Sequence, residues 1–220
     1  MKFNIAIDGP SAAGKSTIAD ILAERLGYTH LDTGAMYRAV AYKAFKIGVA
    51  IDDEENIVKM INDMDLDMKA DGKVILDGED ISGYIRTNEI SMGASDVSKL
   101  KGCRAALVAM QQKICSVGGY ILDGRDIGTV VLKDAPVKLY MVASAVARAK
   151  RRVAQNIEKG IDADYDTILK DIEARDYQDS HRQNSPLMKA EDAVEIDTSD
   201  MSIQEVVDKV MSIIEEKVGA

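Results

Sequence analysis

Short apolar runs of strand length alternate with longer stretches of helical spacing. Runs at 3–7 (FNIAI), 28–32 (YTHLD), 120–123 (YILD), 137–143 (VKLYMVA) and 193–197 (AVEID) predict five strands separated by helices. This alternation predicts an α/β fold, a parallel β-sheet flanked by helices. After the first run, Ile18, Leu22 and Leu26 recur every fourth residue, and Gly27 stands where a helix would stop. Near the other end Ser202 and Glu205 form a capping-box pattern ahead of Ile203, Val206, Val207, Val210, Ile213 and Ile214, which predicts a closing amphipathic helix.

The texture changes over 64–86, where apolar and polar residues alternate around Asp71-Gly72 and Asp77-Gly78. Two hairpin signals in succession predict a small antiparallel sheet, inserted into the α/β alternation.

Composition narrows the classes. A chain of 220 residues, 46% apolar and 30% charged, is long enough for one sizeable core and short for two. A net charge of −9 argues against general affinity for nucleic acid, whose binding energy comes largely from neutralised phosphates. No run of about 18 uncharged apolar residues occurs, and Phe3 to Ile7 follows the start directly without a signal-peptide pattern. A soluble, cytoplasmic protein without a membrane partner is expected. Cys103 and Cys115 match no zinc or redox spacing and are expected to be reduced core thiols. The basic run Arg148, Lys150, Arg151 and Arg152 reads, on composition alone, as a solvated helix face.

Candidate chemistry begins at residues 9–17, Gly9, Pro10, Ser11, Ala12, Ala13, Gly14, Lys15, Ser16 and Thr17, which fit G-x-x-x-x-G-K-[ST] between a strand and a helix. In such a loop backbone N–H groups and the helix N-terminus cradle phosphates, the lysine reaches the β and γ oxygens, and the Ser16 hydroxyl can ligate Mg2+. The loop alone fits a motor, a switch GTPase or a kinase. A guanine-reading N-K-x-D is absent. A small-molecule kinase needs a second phosphate site and cations near the transferred group. Two further strand ends carry polar clusters suited to this, L-D-T-G-A-M-Y-R (31–38) and D-G-R-D-I-G-T (123–129). Asp123, after Ile121 and Leu122, is placed like a Walker B carboxylate, with Arg125 and Asp126 directed into the same crevice. As plainer alternatives, Asp32 could cap a helix and Arg125 could pair with Asp126. His30 and His181 have no evident acid/base partner.

Together with I-R-T-N-E-I and R-D-Y-Q-D-S-H-R-Q-N-S-P-L, these motifs in this order resemble the bacterial cytidylate kinases over nearly the whole chain. The resemblance implies a P-loop NTPase fold whose single kinase domain (1–220) carries an inserted monophosphate-binding subdomain (38–104) and a short arginine-rich lid (148–176). It implies γ-phosphoryl transfer from ATP to CMP or dCMP with Mg2+ held through Ser16 and Asp123, usually by a monomer. Ser95, Arg104 and Asp126 resemble the cytosine-reading residues, Arg175 and Asp179 those facing the ribose. Thr33, Arg38, Arg125 and Arg182 resemble the acceptor-phosphate contacts, while Arg148, Arg151, Arg152 and Arg175 resemble cations closing over ATP. Catalysis would rest on Lys15, Arg125, Arg151, Arg152 and Arg175. The alternatives are a kinase for another small acceptor, such as UMP or a non-nucleotide hydroxyl compound, and a nucleotide-binding regulator without turnover.

Overall fold

The structure, a computed structural model, describes residues 2–69, 71–158 and 160–219. The chain runs β1 (Ile5–Asp8), α1 (Lys15–Leu26), β2 (Thr29–Asp32), α2 (Thr33–Ile47), α3 (Glu54–Asp63), β3 (Leu66–Met68), β4 (Val74–Leu76), β5 (Glu79–Asp80), α4 (Asn88–Val97), α5 (Lys101–Cys115), β6 (Tyr120–Gly124), β7 (Val137–Val142), α6 (Ala145–Glu158), α7 (Tyr165–His181), β8 (Val194–Asp197) and α8 (Ile203–Val218). A π-helical turn, Ile127–Val131, follows β6.

Every strand predicted from the apolar runs is present, with its ends shifted by two residues at most. They form one parallel sheet in the order β2-β6-β1-β7-β8. Parallel neighbours need a crossover, and helices supply it on both faces. The period-two alternation of β1 shows the layering: Ile5 and Ile7 pack with Ile18, Leu22, Val206 and Val210 on the α1/α8 face, whereas Ala6 joins Met36, Leu107 and Leu122 on the other. The second of these clusters continues without a break into Val74, Leu76 and Ile81 of the small sheet.

That small sheet is antiparallel, in the order β3-β4-β5. Asp77 and Gly78 both adopt positive φ, 51° and 83°, as a two-residue type I′ connection requires. Helix α1 stops at Gly27, and the Ser202/Glu205 capping box forms with both reciprocal hydrogen bonds, 3.3 Å and 2.8 Å. Cys103 and Cys115 are buried and unpaired, and burial pushes both thiols up to about 12. Among the described residues no helix is long and apolar enough to cross a membrane.

The tightest packing that positions the cleft is at Gly9. Its φ is +145°, and a Cβ there would fall 2.0 Å from the Met141 carbonyl oxygen on β7. The loop therefore leaves β1 pressed against a neighbouring strand's backbone, which cannot give way as a side-chain tip could. Gly9→Ala is expected to lower the melting temperature steeply and to abolish ATP binding. Ser202→Ala removes only a helix cap, costing about 0.5–2 kcal/mol, and should leave ATP binding intact; thermal denaturation with and without ATP checks both.

Candidate active site

The carboxyl ends of β1, β2 and β6 open on one cleft of about 1390 Å3. It lies where the sheet order reverses, the usual ligand position in open α/β sheets. Gly9 to Thr17 turns from β1 into α1; Ser11 to Thr17 line the cleft, while Gly9 and Pro10, expected among the phosphate-loop contacts, are buried behind it. Gly14, the N-cap of α1, offers no side-chain cap, so the first-turn N–H groups stay open to an anion. Lys15 is buried and donates to the Pro10 carbonyl at 2.8 Å. Burial and the neighbouring Arg125 lower its pKa to about 7 against the opposing pull of Asp123 and Asp8. Arg148 is buried too; it donates to the Ser11 carbonyl at 3.0 Å and the Ala143 carbonyl at 2.9 Å, and pairs with Asp176. It thus ties the loop to α6 and α7.

Asp123, at the end of β6, sits at the centre. The Ser16 hydroxyl donates to its Oδ2 at 2.7 Å, His30 Nε2 meets its Oδ1 at 3.0 Å, and Thr33 donates to its backbone carbonyl at 2.7 Å. Burial opposes charge on Asp123, but His30, Lys15 and Ser16 outweigh it and hold the carboxyl below the usual range. His30 is correspondingly raised: burial opposes its charge, and Asp123 and Asp20 overcome that. This corrects the expectation that His30 lacks a partner. The β2/β6 register sets His30 against Ile121, two residues from Asp123, and the histidine bridges to Asp20 on α1 at 2.7 Å. His181 is exposed, bonds to the Tyr177 carbonyl at 2.9 Å and stacks on the Tyr177 ring, outside the cleft.

Ser16 and Asp123 supply a hydroxyl and a carboxylate side by side, hard oxygen donors that fit Mg2+ completed by water and phosphate. Among the described residues no group of three or more His, Cys, Asp or Glu could form an all-protein metal cage.

Across the cleft the arginines gather around carboxylates. Arg104 pairs with Asp126 and its guanidinium lies 5.6 Å from the Tyr37 ring centroid. Arg125 donates to Asp179 at 2.6 Å, Arg38 to Asp32 at 2.7 Å, and Arg182 to the Ser185 carbonyl at 2.6 Å, with Asp126 3.8 Å away. Asp32 caps α2 through the Ala35 N–H as well. Arg125 pairs with Asp179 and not with Asp126. Ser95 Oγ accepts from Gln178 at 2.8 Å. Arg38 Nε, Arg104 Nε, Arg175 Nε and Arg182 NH2 are buried without a hydrogen-bond partner among the described residues. Such orphans are rare and mark where an acceptor belongs. Burial, then Arg125, lowers Arg175 to about 10. Arg151 and Arg152 also line the cleft, Arg151 donating to the Thr198 carbonyl at the end of β8 and Arg152 making no side-chain hydrogen bond among the described residues.

Asp8 is a functional residue that the sequence reading missed. Buried at the end of β1, it accepts from the Ile127 and Gly128 N–H groups, both at 2.7 Å. Burial raises its pKa to about 6, although those two hydrogen bonds pull it down. It fixes the π-helical turn that directly follows Arg125 and Asp126. The signal was a carboxylate closing an otherwise apolar strand just before Gly9.

Sheet order, glycine loop and facing cation cluster define a P-loop phosphotransferase for a small anionic acceptor. A solved shikimate kinase from Bacteroides thetaiotaomicron shares the fold, with a TM-score of 0.50 at 9% identity over 99% of both chains. The sequence profile of the cytidylate kinases matches residues 5–216. The cytidylate kinase of Bacillus subtilis is 48% identical over 219 residues, 98% of each chain. That of Caldicellulosiruptor bescii is 50% identical over 215 residues, 96% of this chain and 95% of its own. The protein belongs to the cytidylate kinase family.

Asp8→Ala leaves two buried N–H groups without an acceptor and is expected to cost about 2–6 kcal/mol, at about 1–3 kcal/mol for each orphan. Denaturant unfolding reads that loss; an unchanged midpoint would remove Asp8 from its place as the anchor of this turn.

Proposed function

We propose that this chain transfers the γ-phosphoryl group of ATP to CMP and dCMP, giving CDP and dCDP. The observation that carries the reading is the Arg104–Asp126 pair facing the phosphate loop across the cleft. A guanidinium beside a carboxylate presents a donor next to an acceptor, and the cytosine edge offers the complement, acceptor N3 next to the N4 amine. Uracil reverses both groups. Each mispaired buried group costs about 1–3 kcal/mol, a preference for cytosine without strict exclusion.

On this reading Ser11 to Thr17 hold the ATP phosphates, with Lys15 at the β and γ oxygens. Arg38, Arg125 and Arg182 bind the acceptor phosphate beside Thr33, and Arg175 and Asp179 face the ribose. Mg2+ held through Ser16 and Asp123 would supply charge neutralisation at the phosphates. The acceptor phosphate is already an anionic nucleophile, so no general base is required. What the protein contributes is position and preorganised positive charge, the main terms in phosphoryl transfer. The buried arginines sit close to one another at an electrostatic cost, which bound phosphates relieve. Residues 38–104 act as the monophosphate-binding subdomain and 148–176 as a lid whose Arg151 and Arg152 close around ATP, while Arg148, expected among those cations, is buried and braces the phosphate loop instead. Closure excludes water and protects ATP from hydrolysis.

A coupled assay with ATP and Mg2+, comparing CMP, dCMP, UMP, AMP and GMP at equal concentration, should show clear preference for CMP and dCMP. Lys15→Ala should lower turnover by roughly 100-fold or more in a folded protein. Arg104→Met with Asp126→Ala should raise KM for CMP far more than KM for ATP. Preference for another acceptor would overturn the cytosine reading, and equal losses for both substrates would overturn the base-reading pair.

A further inference from the structure

Ser16 and Asp20 stand one turn apart on α1 and so share a face of that helix. The β2/β6 register pairs His30 with Ile121, two residues before Asp123, which puts the His30 and Asp123 side chains on one face of the sheet. All four residues line the cleft. Asp123 Oδ2 accepts from the Ser16 hydroxyl at 2.7 Å, its Oδ1 meets His30 Nε2 at 3.0 Å, and His30 Nδ1 meets Asp20 Oδ1 at 2.7 Å. Exposure rises steeply outward along this row: the Asp123 and His30 side chains are 6% and 12% exposed, that of Asp20 69%.

Ionised carboxylates only accept hydrogen bonds, so each ring nitrogen of His30 serves as a donor. Among the described residues His30 makes the only hydrogen bond to Asp123 Oδ1. A carboxylate turns easily about its last torsion, and without that bond its two oxygens would be interchangeable. We propose that His30, braced from outside by Asp20, is a positioning residue for the divalent cation: it occupies Oδ1 of Asp123 and so keeps Oδ2 beside the Ser16 hydroxyl, as the pair of oxygens that meets Mg2+. This rests on the reading of Ser16 and Asp123 as the Mg2+ donors. Asp20 lies in solvent, where its charge costs little, and fixes the ring plane through the other nitrogen. Outer hydrogen bonds of this kind orient metal-ligating carboxylates, and their loss typically lowers metal affinity by about 10–100-fold.

ATP binding measured by calorimetry in Mg2+ and in EDTA isolates the role, because the ratio of the two affinities reports the ion and cancels losses common to both. His30→Leu should reduce the Mg2+-dependent gain by roughly tenfold or more and leave the affinity in EDTA unchanged. His30→Gln, whose amide can donate to Oδ1, should recover most of that gain. Asp20→Ala, at an exposed position that does not threaten the fold, should lose part of it and lose nothing further in the His30→Leu background. It also decides the question should His30→Leu fail to fold. Equal losses with and without Mg2+, His30→Gln no better than His30→Leu, or an unchanged gain in Asp20→Ala would overturn the brace. A wild-type protein whose ATP affinity ignores Mg2+ would instead overturn the Mg2+ site itself, and the brace with it.

Discussion

The polar architecture of this protein depends on keeping a carboxylate ionised inside it. Asp123 is buried at the end of a central strand, where an unpaired charge would be prohibitively costly. The Ser16 hydroxyl takes one oxygen and the His30 imidazole the other, while Thr33 holds the backbone carbonyl. Those three residues come from the start of α1, from β2 and from the start of α2. One desolvated charge thereby locks the phosphate loop to the strand two places away in the sheet.

The opposite wall solves the converse problem. Several guanidinium groups share a small volume, and Asp32, Asp126 and Asp179 each take at least one of them. The pairing is incomplete, because buried arginine N–H groups remain without acceptors among the described residues. Buried ion pairs are poor sources of stability. On the function proposed, their retention is understandable as preorganisation, with cations gathered before a phosphate arrives.

Local chemistry made much of this legible in the sequence. The strands announced themselves as apolar runs, the type I′ turn as Asp77-Gly78, the last helix as Ser202 with Glu205, and the phosphate loop by its glycines. What the sequence concealed depends on register and on contacts across long separations. His30 gains Asp123 only because β2 pairs with β6, and Gln178 reaches Ser95 only once α7 folds back toward α4. Arg148 is a further instance. On composition it belonged to a solvated basic face, yet it is buried against the Ser11 carbonyl and Asp176, a strut whose partners lie on either side of it in the chain.

The direct junction of β2 and α2 has a mechanical meaning. Asp32 ends the strand and Thr33 begins the helix, with no residue between them. Asp32 also caps that helix and grips Arg38 one and a half turns further on. The connection behaves as a welded joint, and α2 as a cantilever fixed in the sheet. The far end of α2 is different: the helix stops at Gly48, whose φ of 74° leaves the helical region. The wall of the cleft near Thr33 and Arg38, by contrast, is built directly onto the end of the sheet.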